Sequence, residues 1–178
     1  MSTNVTLRQE TPADYDRVFS IIEQAFKNEP HSDHQEQFLV QRLRSSDAFV
    51  PELSIVAELN GEVIGHILMT KIVIKGEQGE WDSLALAPVS VDPAHQGKGI
   101  GGQLIVRAHE EAARLGYGSS VLLGHAEYYP RFGYKRADSF GVKLPFEVPP
   151  EFCQAIELIE GSLDDVNGTV QYAKEFFE

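Results

Sequence analysis

Residues 95–104 read HQGKGIGGQL, and four of them are glycines within a span of six positions. An amphipathic pattern follows at once and predicts a helix from about Gly99 to Leu115, with its buried face formed by Leu104, Ile105, Ala108, Ala112 and Leu115. The stretch LALAPVSV at 84–91 precedes the glycines as a strand, and SSVLLG at 119–124 follows the helix as a buried strand. This order predicts a right-handed parallel βαβ crossover.

Two helices are predicted ahead of this unit. Thr11 as N-cap and Pro12 at the first helical position begin a helix that runs to Phe26. Its apolar stripe consists of Tyr15, Val18, Phe19, Ile22 and Phe26. A second helix is predicted from Asp33 to Ser45, with an inward face formed by Phe38, Leu39 and Leu43.

A hairpin is predicted between these helices and the glycine segment. Two strand-like runs flank Asn60-Gly61, a pair favoured in tight hairpin turns, and a short strand is also expected near Val5. The polar stretch 75–83 is predicted to be a loop. Pro88 cannot donate to a strand ladder, so we expect pairing to fail on one side of it, at an edge or a bulge.

Composition limits the class of protein. A chain of 178 residues with 42% apolar content is expected to form one domain, residues 1–178, with strands and loops over 139–178. We expect no membrane span, because no run of about 18 apolar residues occurs. The N-terminal stretch lacks the apolar run of a signal peptide, and Cys153 is the only cysteine, so a cytoplasmic protein is predicted. The net charge of −12 argues against nucleic-acid binding. It fits either cationic partners or a role in solubility alone.

Several glycine-rich motifs bind phosphate groups, and two of them fit this segment poorly. The pattern GxxxxGK[ST] is absent. The dinucleotide pattern GxGxxG is formally present at Gly97, Gly99 and Gly102. However, the residues DPAHQ separate the strand from the glycines, and no carboxylate follows the next strand until Glu127. A dinucleotide-dependent oxidoreductase therefore remains only as an alternative.

The glycine segment has the properties of an anion site. The first amides of a helix have no partner within the helix and point beyond its end, where the helix dipole also attracts negative charge. Glycines at 97, 99, 101 and 102 remove the β-carbons that would hold a phosphate away from those amides. Lys98 adds a positive charge in the same segment.

Two motifs resemble those of the GNAT superfamily of N-acetyltransferases. The stretch VSVDPAHQGKGIGGQLIVRA resembles the acyl-CoA signature of that family, with Gln96, Gly99 and Gly101 at its defining positions. The stretch YYPRFGY resembles the family element Tyr-x-x-x-Gly-aromatic. The element order matches from Val5 to about Ala137, and the whole chain is similar to a YhbS-like subgroup of predicted acetyltransferases.

The resemblance implies a fold, a cosubstrate and a binding site. The fold is a GNAT-type α/β domain with core 4–138, a mixed, mostly antiparallel sheet, a central splayed parallel strand pair, and helices on both faces. The cosubstrate is acetyl-CoA, whose pantetheine pairs with the backbone at Val89 and Val91. The implied cofactor-binding residues are Val89, Ser90, Val91, Gln96, Gly97, Lys98, Gly99, Ile100, Gly101, Gly102 and Tyr129.

The resemblance also implies a reaction, in which an amine directly attacks the thioester carbonyl. Tyr129 occupies the position of the general acid that protonates the leaving thiolate, whereas Tyr128 and Tyr134 are interpreted as packing residues. The strand before the glycines lacks the carboxylate or histidine that many members carry as a base. The base therefore stays open between an ordered water and five side chains: Glu80, Asp82, His66, His125 and Glu127. Cys153 lies far from both motifs and is not expected to act as a nucleophile.

No metal is expected, because His31 and His34 have no cysteine or second histidine pair to complete a site. The acceptor is expected to be a small-molecule or peptide amine, and a homodimer remains open. A non-catalytic acyl-CoA-binding module on the same fold is the second alternative. It would bind acetyl-CoA without releasing thiol to any amine.

Overall fold

The computed structural model describes residues 4–178. Its three α-helices are α1 (Tyr15–Phe26), α2 (Glu36–Arg44) and α3 (Ile100–Arg114). The strands within this range are β1 (Val5–Gln9), β2 (Ser54–Leu59), β3 (Glu62–Gly76), β4 (Gly79–Val91), β5 (Ser119–Leu123), β6 (Lys135–Arg136), β7 (Val142–Lys143), β8 (Cys153–Glu157) and β9 (Gly168–Gln171). Short 3-10 turns join several of these elements, including Pro93–His95 and Tyr129–Phe132.

The strands form one mixed sheet in the order β1-β2-β3-β4-β5-β8-β6, and β9 pairs with β3 and β7. The pairs β1–β2, β2–β3, β3–β9, β5–β8 and β6–β8 are antiparallel. Strands β4 and β5 are parallel neighbours, with Leu84 opposite Ser120 and Ala85 opposite Val121, and β7 and β9 form a second parallel pair. The predicted βαβ unit and the mostly antiparallel sheet with a central parallel pair are confirmed.

The chain divides into two compact units, and β3, β4 and α3 each run through both. The first unit extends to Met69 and includes 87–108, and the second consists of 70–86 and 109–178. The core of the first unit includes Val18, Ile22, Val40, Leu43, Val56, Ile67 and Leu104. The core of the second includes Ile74, Ala85, Val121, Ala137, Val142, Ala155, Leu163 and Val170.

The two hairpin connections test the turn predictions. Asn60 and Gly61 both adopt positive φ, 53° and 81°, between β2 and β3, which confirms the predicted tight turn. The predicted loop over 75–83 is wrong, because β3 continues to Gly76 and β4 already begins at Gly79. Trp81 packs inward against the core of the second unit, while its neighbours Glu80 and Asp82 face solvent. In a half-buried strand the outward residues are polar and the inward ones pack on the core. The outward polar residues of this stretch led to the prediction of a loop.

Helix boundaries differ from the predictions by a few residues. The turn that begins at Thr11 is 3-10 over Pro12–Asp14, and α1 follows from Tyr15. Asp14 fixes this start, because one of its carboxylate oxygens accepts from the Thr11 amide at 2.8 Å. In α2 the buried residues are Gln37, Val40 and Leu43. Phe38 was expected to face inward but is 39% exposed, and it packs edge-on against Phe19 with 5.3 Å between ring centroids.

Candidate active site

The end of β4 is fixed to its surroundings by Asp92. The Asp92 amide donates to the Ile64 carbonyl of β3 at 2.8 Å, and its Oδ1 accepts from the Ala94 amide at 3.0 Å. Arg17 of α1 donates to Asp92 Oδ2 at 2.6 Å and to the Val63 carbonyl at 2.9 Å. The hydrogen bond from Ala94, helped by the one from Arg17, holds the pKa of Asp92 below its usual value. The residues that lead into the glycine segment are therefore held by an ionised carboxylate.

The strand residues predicted to contact pantetheine lie immediately before this anchor. Val89 and Val91 are partly buried, and Ser90 is 4% exposed. The Ser90 hydroxyl is buried without a hydrogen-bond partner among residues 4–178. The Val91 carbonyl accepts from the side-chain amide of Gln96 at 3.0 Å. Gln96 thus closes the loop back onto the strand by using one of the two lone pairs of the Val91 carbonyl oxygen.

The glycine segment owes two of its glycines to backbone conformation. Gly97 and Gly99 both adopt a φ of +79°, which side-chain-bearing residues rarely do. A β-carbon added at either position would meet no protein atom within 4 Å. The space beside both residues is therefore open on the side where a β-carbon would project.

The first amides of α3 have no partner within the helix. The Gly99 carbonyl accepts from the Gln103 amide at 3.1 Å and makes the first backbone bond of the helix. The amides of Ile100, Gly101 and Gly102 come before that bond, so they have no partner within the helix. The Ile100 side chain is 4% exposed and anchors this turn in the core, whereas Lys98 is exposed. This arrangement places three amide donors and the positive end of a helix dipole beside an open space.

Gly65 of β3 allows close packing beneath this turn. A β-carbon at Gly65 would lie 3.2 Å from Leu104 Cδ1, 3.3 Å from the Ser90 carbonyl oxygen and 3.4 Å from Ile100 Cγ2. These distances are tighter than ordinary van der Waals contact. The glycine therefore lets β3 support both the first turn of α3 and the end of β4.

Tyr129 begins the 3-10 turn that ends at Gly133, whose φ is 102°. Its ring lies edge-on to Tyr128 at 5.0 Å and to Tyr134 at 5.9 Å between centroids. Burial, with a smaller contribution from Tyr128, raises the pKa of Tyr129 above the ordinary value of 10. Its phenol therefore stays protonated at neutral pH and can serve as a proton donor.

A family profile described as an acetyltransferase (GNAT) domain matches residues 6–137, which include the glycine segment and Tyr129. The chain belongs to the GNAT acetyltransferase family. It is therefore an acyltransferase, as the names of its relatives also indicate.

Three relatives illustrate the similarity within the GNAT family. The uncharacterized N-acetyltransferase YjhQ of Escherichia coli K12 is 38% identical over 118 residues, 66% of this chain and 65% of that protein. The crystal structure of Escherichia coli YhbS in complex with CoA has a TM-score of 0.89 at 25% identity, and the match covers 100% of this chain and 94% of that chain. A GNAT acetyltransferase from Brucella melitensis in complex with acetyl-CoA has a TM-score of 0.81 at 33% identity, with coverage of 98% and 99%. The resemblance and the fold class predicted from the sequence are confirmed.

The candidate bases of this GNAT chain differ in exposure. His66 is fully buried, its Nε2 lies 2.9 Å from Ser54 Oγ, and burial lowers its pKa to about 4. Solvent does not reach His66, and Glu10 and Arg44 surround it, so we assign it a structural role. Glu80, Asp82, His125 and Glu127 are all exposed, and Glu80 pairs with Lys75 at 3.6 Å. The choice among these four side chains and a water stays open.

Acidification is expected to destabilise the fold through the buried His66 and the partly buried His109. Burial lowers the pKa of both His66 and His109 to about 4, against about 6.5 in an unfolded chain. Between these values the unfolded state binds more protons, so stability is lost as pH falls from 6.5 to 4, by up to about 3 kcal/mol for each histidine. Urea unfolding at pH 7, 6, 5 and 4 measures this loss, and His109→Gln should make it smaller. An unfolding free energy that stays constant from pH 7 to 4.5 would contradict the prediction.

The sequence predicts neither a metal site nor a membrane span. Among residues 4–178, no group of three or more His, Cys, Asp or Glu side chains could hold a metal ion. His34 instead bonds through Nδ1 to the Phe26 carbonyl at 2.9 Å. No helix of the described chain has the length and apolar character needed to cross a membrane.

Sequence reasoning missed the residues that support the site from a distance. Arg17 gave no signal, because it is one of several charged residues on an amphipathic helix and its partner Asp92 is 75 positions away. Gly124 and Gln154 were also missed. Gln154 is 2% exposed and donates to the carbonyls of Gly124 and His125 at 3.2 and 3.1 Å, which fixes the turn after β5. The only signal in the sequence for this turn was Gly124 itself, a glycine at the end of a predicted buried strand.

Proposed function

We propose that this chain is an N-acetyltransferase that binds acetyl-CoA through residues 96–102 and transfers the acetyl group to a primary amine. The observation that carries the proposal is the start of α3, where the amides of Ile100, Gly101 and Gly102 precede the first helical hydrogen bond and the space beside Gly97 and Gly99 is open. A diphosphate offers the oxygens that such amides bind. The CoA and acetyl-CoA complexes of the two structural relatives support the choice of ligand.

The remaining predicted contacts form part of the same proposal. The backbone at Val89 and Val91 pairs with the pantetheine amides, with Ser90 between them, and Lys98 adds charge near the diphosphate. Gln96 holds the loop on the strand until the ligand is bound. Residues 1–178 act as a single N-acetyltransferase domain that uses no metal. We place it in the cytoplasm, as its single cysteine favours.

The proposed reaction needs one proton donor and one proton acceptor. A neutral amine attacks the thioester carbonyl, the carbon–sulfur bond breaks, and an amide and a thiolate form. The amine nitrogen releases its proton to water or to an exposed carboxylate or histidine, and Tyr129 gives its phenolic proton to the thiolate sulfur. Tyr129 then regains a proton from solvent. The net products are an acetylated amine and CoA.

The acceptor is proposed to be a cationic amine. The net charge of −12 favours positively charged partners by long-range attraction. Such an amine must lose a proton before it can attack, so we expect the rate to rise with pH until the amine is deprotonated. Polyamines, aminoglycosides, lysine side chains and peptide N-termini all meet this description.

A thiol-release assay tests the proposal directly. Acetyl-CoA is mixed with the protein and with spermidine, an aminoglycoside, a lysine-containing peptide or a peptide with a free N-terminus, and CoA thiol is measured. Thiol release that depends on one amine class is expected and would identify the acceptor. Tight binding of acetyl-CoA by calorimetry without release to any amine would contradict catalysis and favour the acyl-CoA-binding module. No binding of acetyl-CoA would overturn the whole proposal.

A further inference from the structure

The ring of Tyr129 fits against a glycine that has no room for a side chain. A β-carbon added at Gly124 would lie 2.6 Å from Tyr129 Cε2, closer than non-bonded carbon atoms approach. The position of Gly124 is itself fixed, because its amide donates to the Phe152 carbonyl at 2.9 Å and its carbonyl accepts from Gln154. The end of β5 therefore forms a rigid surface against one part of the Tyr129 ring.

Tyr134 provides a second surface, and hydrogen bonds hold it in place. Its side chain is buried, with 2% exposure, and its hydroxyl lies 3.0 Å from His109 Nε2 and 2.9 Å from Ser120 Oγ. The three groups come from different elements: His109 from the C-terminal half of α3, Ser120 from β5, and Tyr134 from the segment after the 3-10 turn. A tyrosine whose hydroxyl makes two hydrogen bonds has one preferred ring orientation.

The edge-on contact with Tyr134 also limits the orientations that the Tyr129 ring can adopt. The two rings meet at 77°, with 5.9 Å between their centroids, the geometry in which aromatic pairs attract. A ring edge held by two hydrogen bonds resists displacement more than one held by packing alone. Tyr134 therefore restricts the movement of the Tyr129 ring, which also contacts its other aromatic neighbour, Tyr128.

We propose that Tyr134, held by His109 and Ser120, is a positioning residue that orients Tyr129 for proton transfer to the leaving sulfur. This inference rests on the proposed function, because it assumes that Tyr129 is the general acid. Tyr134 itself touches no reacting atom. Its two hydrogen bonds affect the reaction only through the Tyr129 ring. A positioning role therefore predicts an effect on kcat that depends on the Tyr129 hydroxyl, whereas a merely structural role does not.

A double-mutant cycle of Tyr129→Phe and Tyr134→Phe tests the inference. The Tyr134→Phe change keeps the ring and removes both hydrogen bonds, so kcat should fall about 10-fold with KM for acetyl-CoA within about twofold of wild type. In the Tyr129→Phe background the same change should alter kcat by less than about twofold, because no acid remains to be oriented. The amine is the one that releases most thiol in the panel above.

The outcomes separate the two proposals. Equal losses from Tyr134→Phe in both backgrounds would show that it acts on stability or elsewhere, and would overturn the positioning role alone. An unchanged kcat in Tyr129→Phe would overturn the acid role and, with it, the need for positioning. Tyr172→Phe is the matched control, because Tyr172 is a partly buried tyrosine of the same unit that packs against Phe146 and Phe176, and its change should leave kcat unaltered.

A spectroscopic measurement that needs no acceptor amine tests the variants whose acetyl transfer cannot be assayed. The ring carbon resonances of Tyr129, in protein labelled with carbon-13 tyrosine, report its environment directly. Tyr134→Phe should shift or broaden them, Ser120→Ala should have a smaller effect in the same direction, and Tyr172→Phe should leave them unchanged. Unchanged Tyr129 resonances in Tyr134→Phe would overturn the inference, even if the thiol-release panel shows no activity.

Discussion

Replacing Tyr129 with phenylalanine is expected to lower kcat for acetyl transfer by about 10²-fold or more, the range for loss of a positioned general acid. The KM for acetyl-CoA should change little, because the diphosphate contacts proposed here come from amides of residues 97–102. Steady-state thiol release at several acetyl-CoA concentrations separates the two parameters. A kcat within about threefold of wild type, with unaltered acetyl-CoA binding, would contradict the acid role.

The raised pKa of Tyr129 bears on how this acid works. A thiol with a pKa near 8.5 is a stronger acid than tyrosine in water, so proton transfer from the phenol to a fully solvated thiolate is uphill. The low-polarity surroundings that raise the pKa of the phenol also raise that of a thiolate formed beside it, since burial disfavours both anions. Burial therefore shifts both pKa values in the same direction rather than only that of the donor, and the phenol gives up its proton as the carbon–sulfur bond breaks and charge develops on sulfur.

The same shift determines the pH profile. Because Tyr129 keeps its proton well above pH 10, we expect kcat to rise with pH as the amine loses its proton and then to remain level up to about pH 10. The acidic side of the profile belongs to the amine or its base. Tyr129→Phe should therefore lower the level of the plateau without moving the midpoint of the rise.

The central part of the fold was predictable because its signals are local. The glycine segment, the helical period after it and the strands on either side specify the βαβ unit, and Asn60-Gly61 specifies its turn by the positive φ that both residues need. The start of β4 at Gly79 was not predictable in the same way. Its outward residues Glu80 and Asp82 are polar, and only packing of Trp81 against a core assembled from distant segments reveals a strand.

The support of the candidate site depends on contacts that no local pattern encodes. Arg17 and Asp92 lie in α1 and after β4, and their ion pair forms only once the sheet brings these segments together. The requirement for glycine at 124 arises from the ring of Tyr129 five positions later, which the turn folds back onto the strand end. The glycine and tyrosine motifs could therefore be found in the sequence, whereas the contact between Arg17 and Asp92 and the need for glycine at 124 could not.

Gly99→Val is expected to weaken acetyl-CoA binding by about 10–100-fold. A β-branched residue at a φ of +79° costs about 1–3 kcal/mol, and the backbone can relieve this strain only by rotating away from that conformation. The rotation would turn the amides of Ile100 and Gly101, which immediately follow. Calorimetric titration with acetyl-CoA and with CoA measures the loss.

Gly116→Val is a matched control for this change. Gly116 follows the other end of α3, has a φ of +93°, and has no protein atom within 4 Å of an added β-carbon. The strain and the open surroundings are thus alike, while the ligand amides are untouched. Both variants should lose similar thermal stability, and only Gly99→Val should lose affinity. Equal affinities in the two variants would contradict a binding role for the glycine segment.

A third variant, Gly99→Asn, distinguishes the two reasons for a glycine at this position. Asparagine tolerates positive φ better than valine, yet it carries the same β-carbon. If backbone conformation sets the affinity, Gly99→Asn should bind acetyl-CoA several-fold more tightly than Gly99→Val. If the β-carbon itself holds the phosphate away from the amides, both variants should lose affinity equally. No protein atom lies within 4 Å of a β-carbon added at Gly99, so the second result would mean that the β-carbon meets the ligand itself.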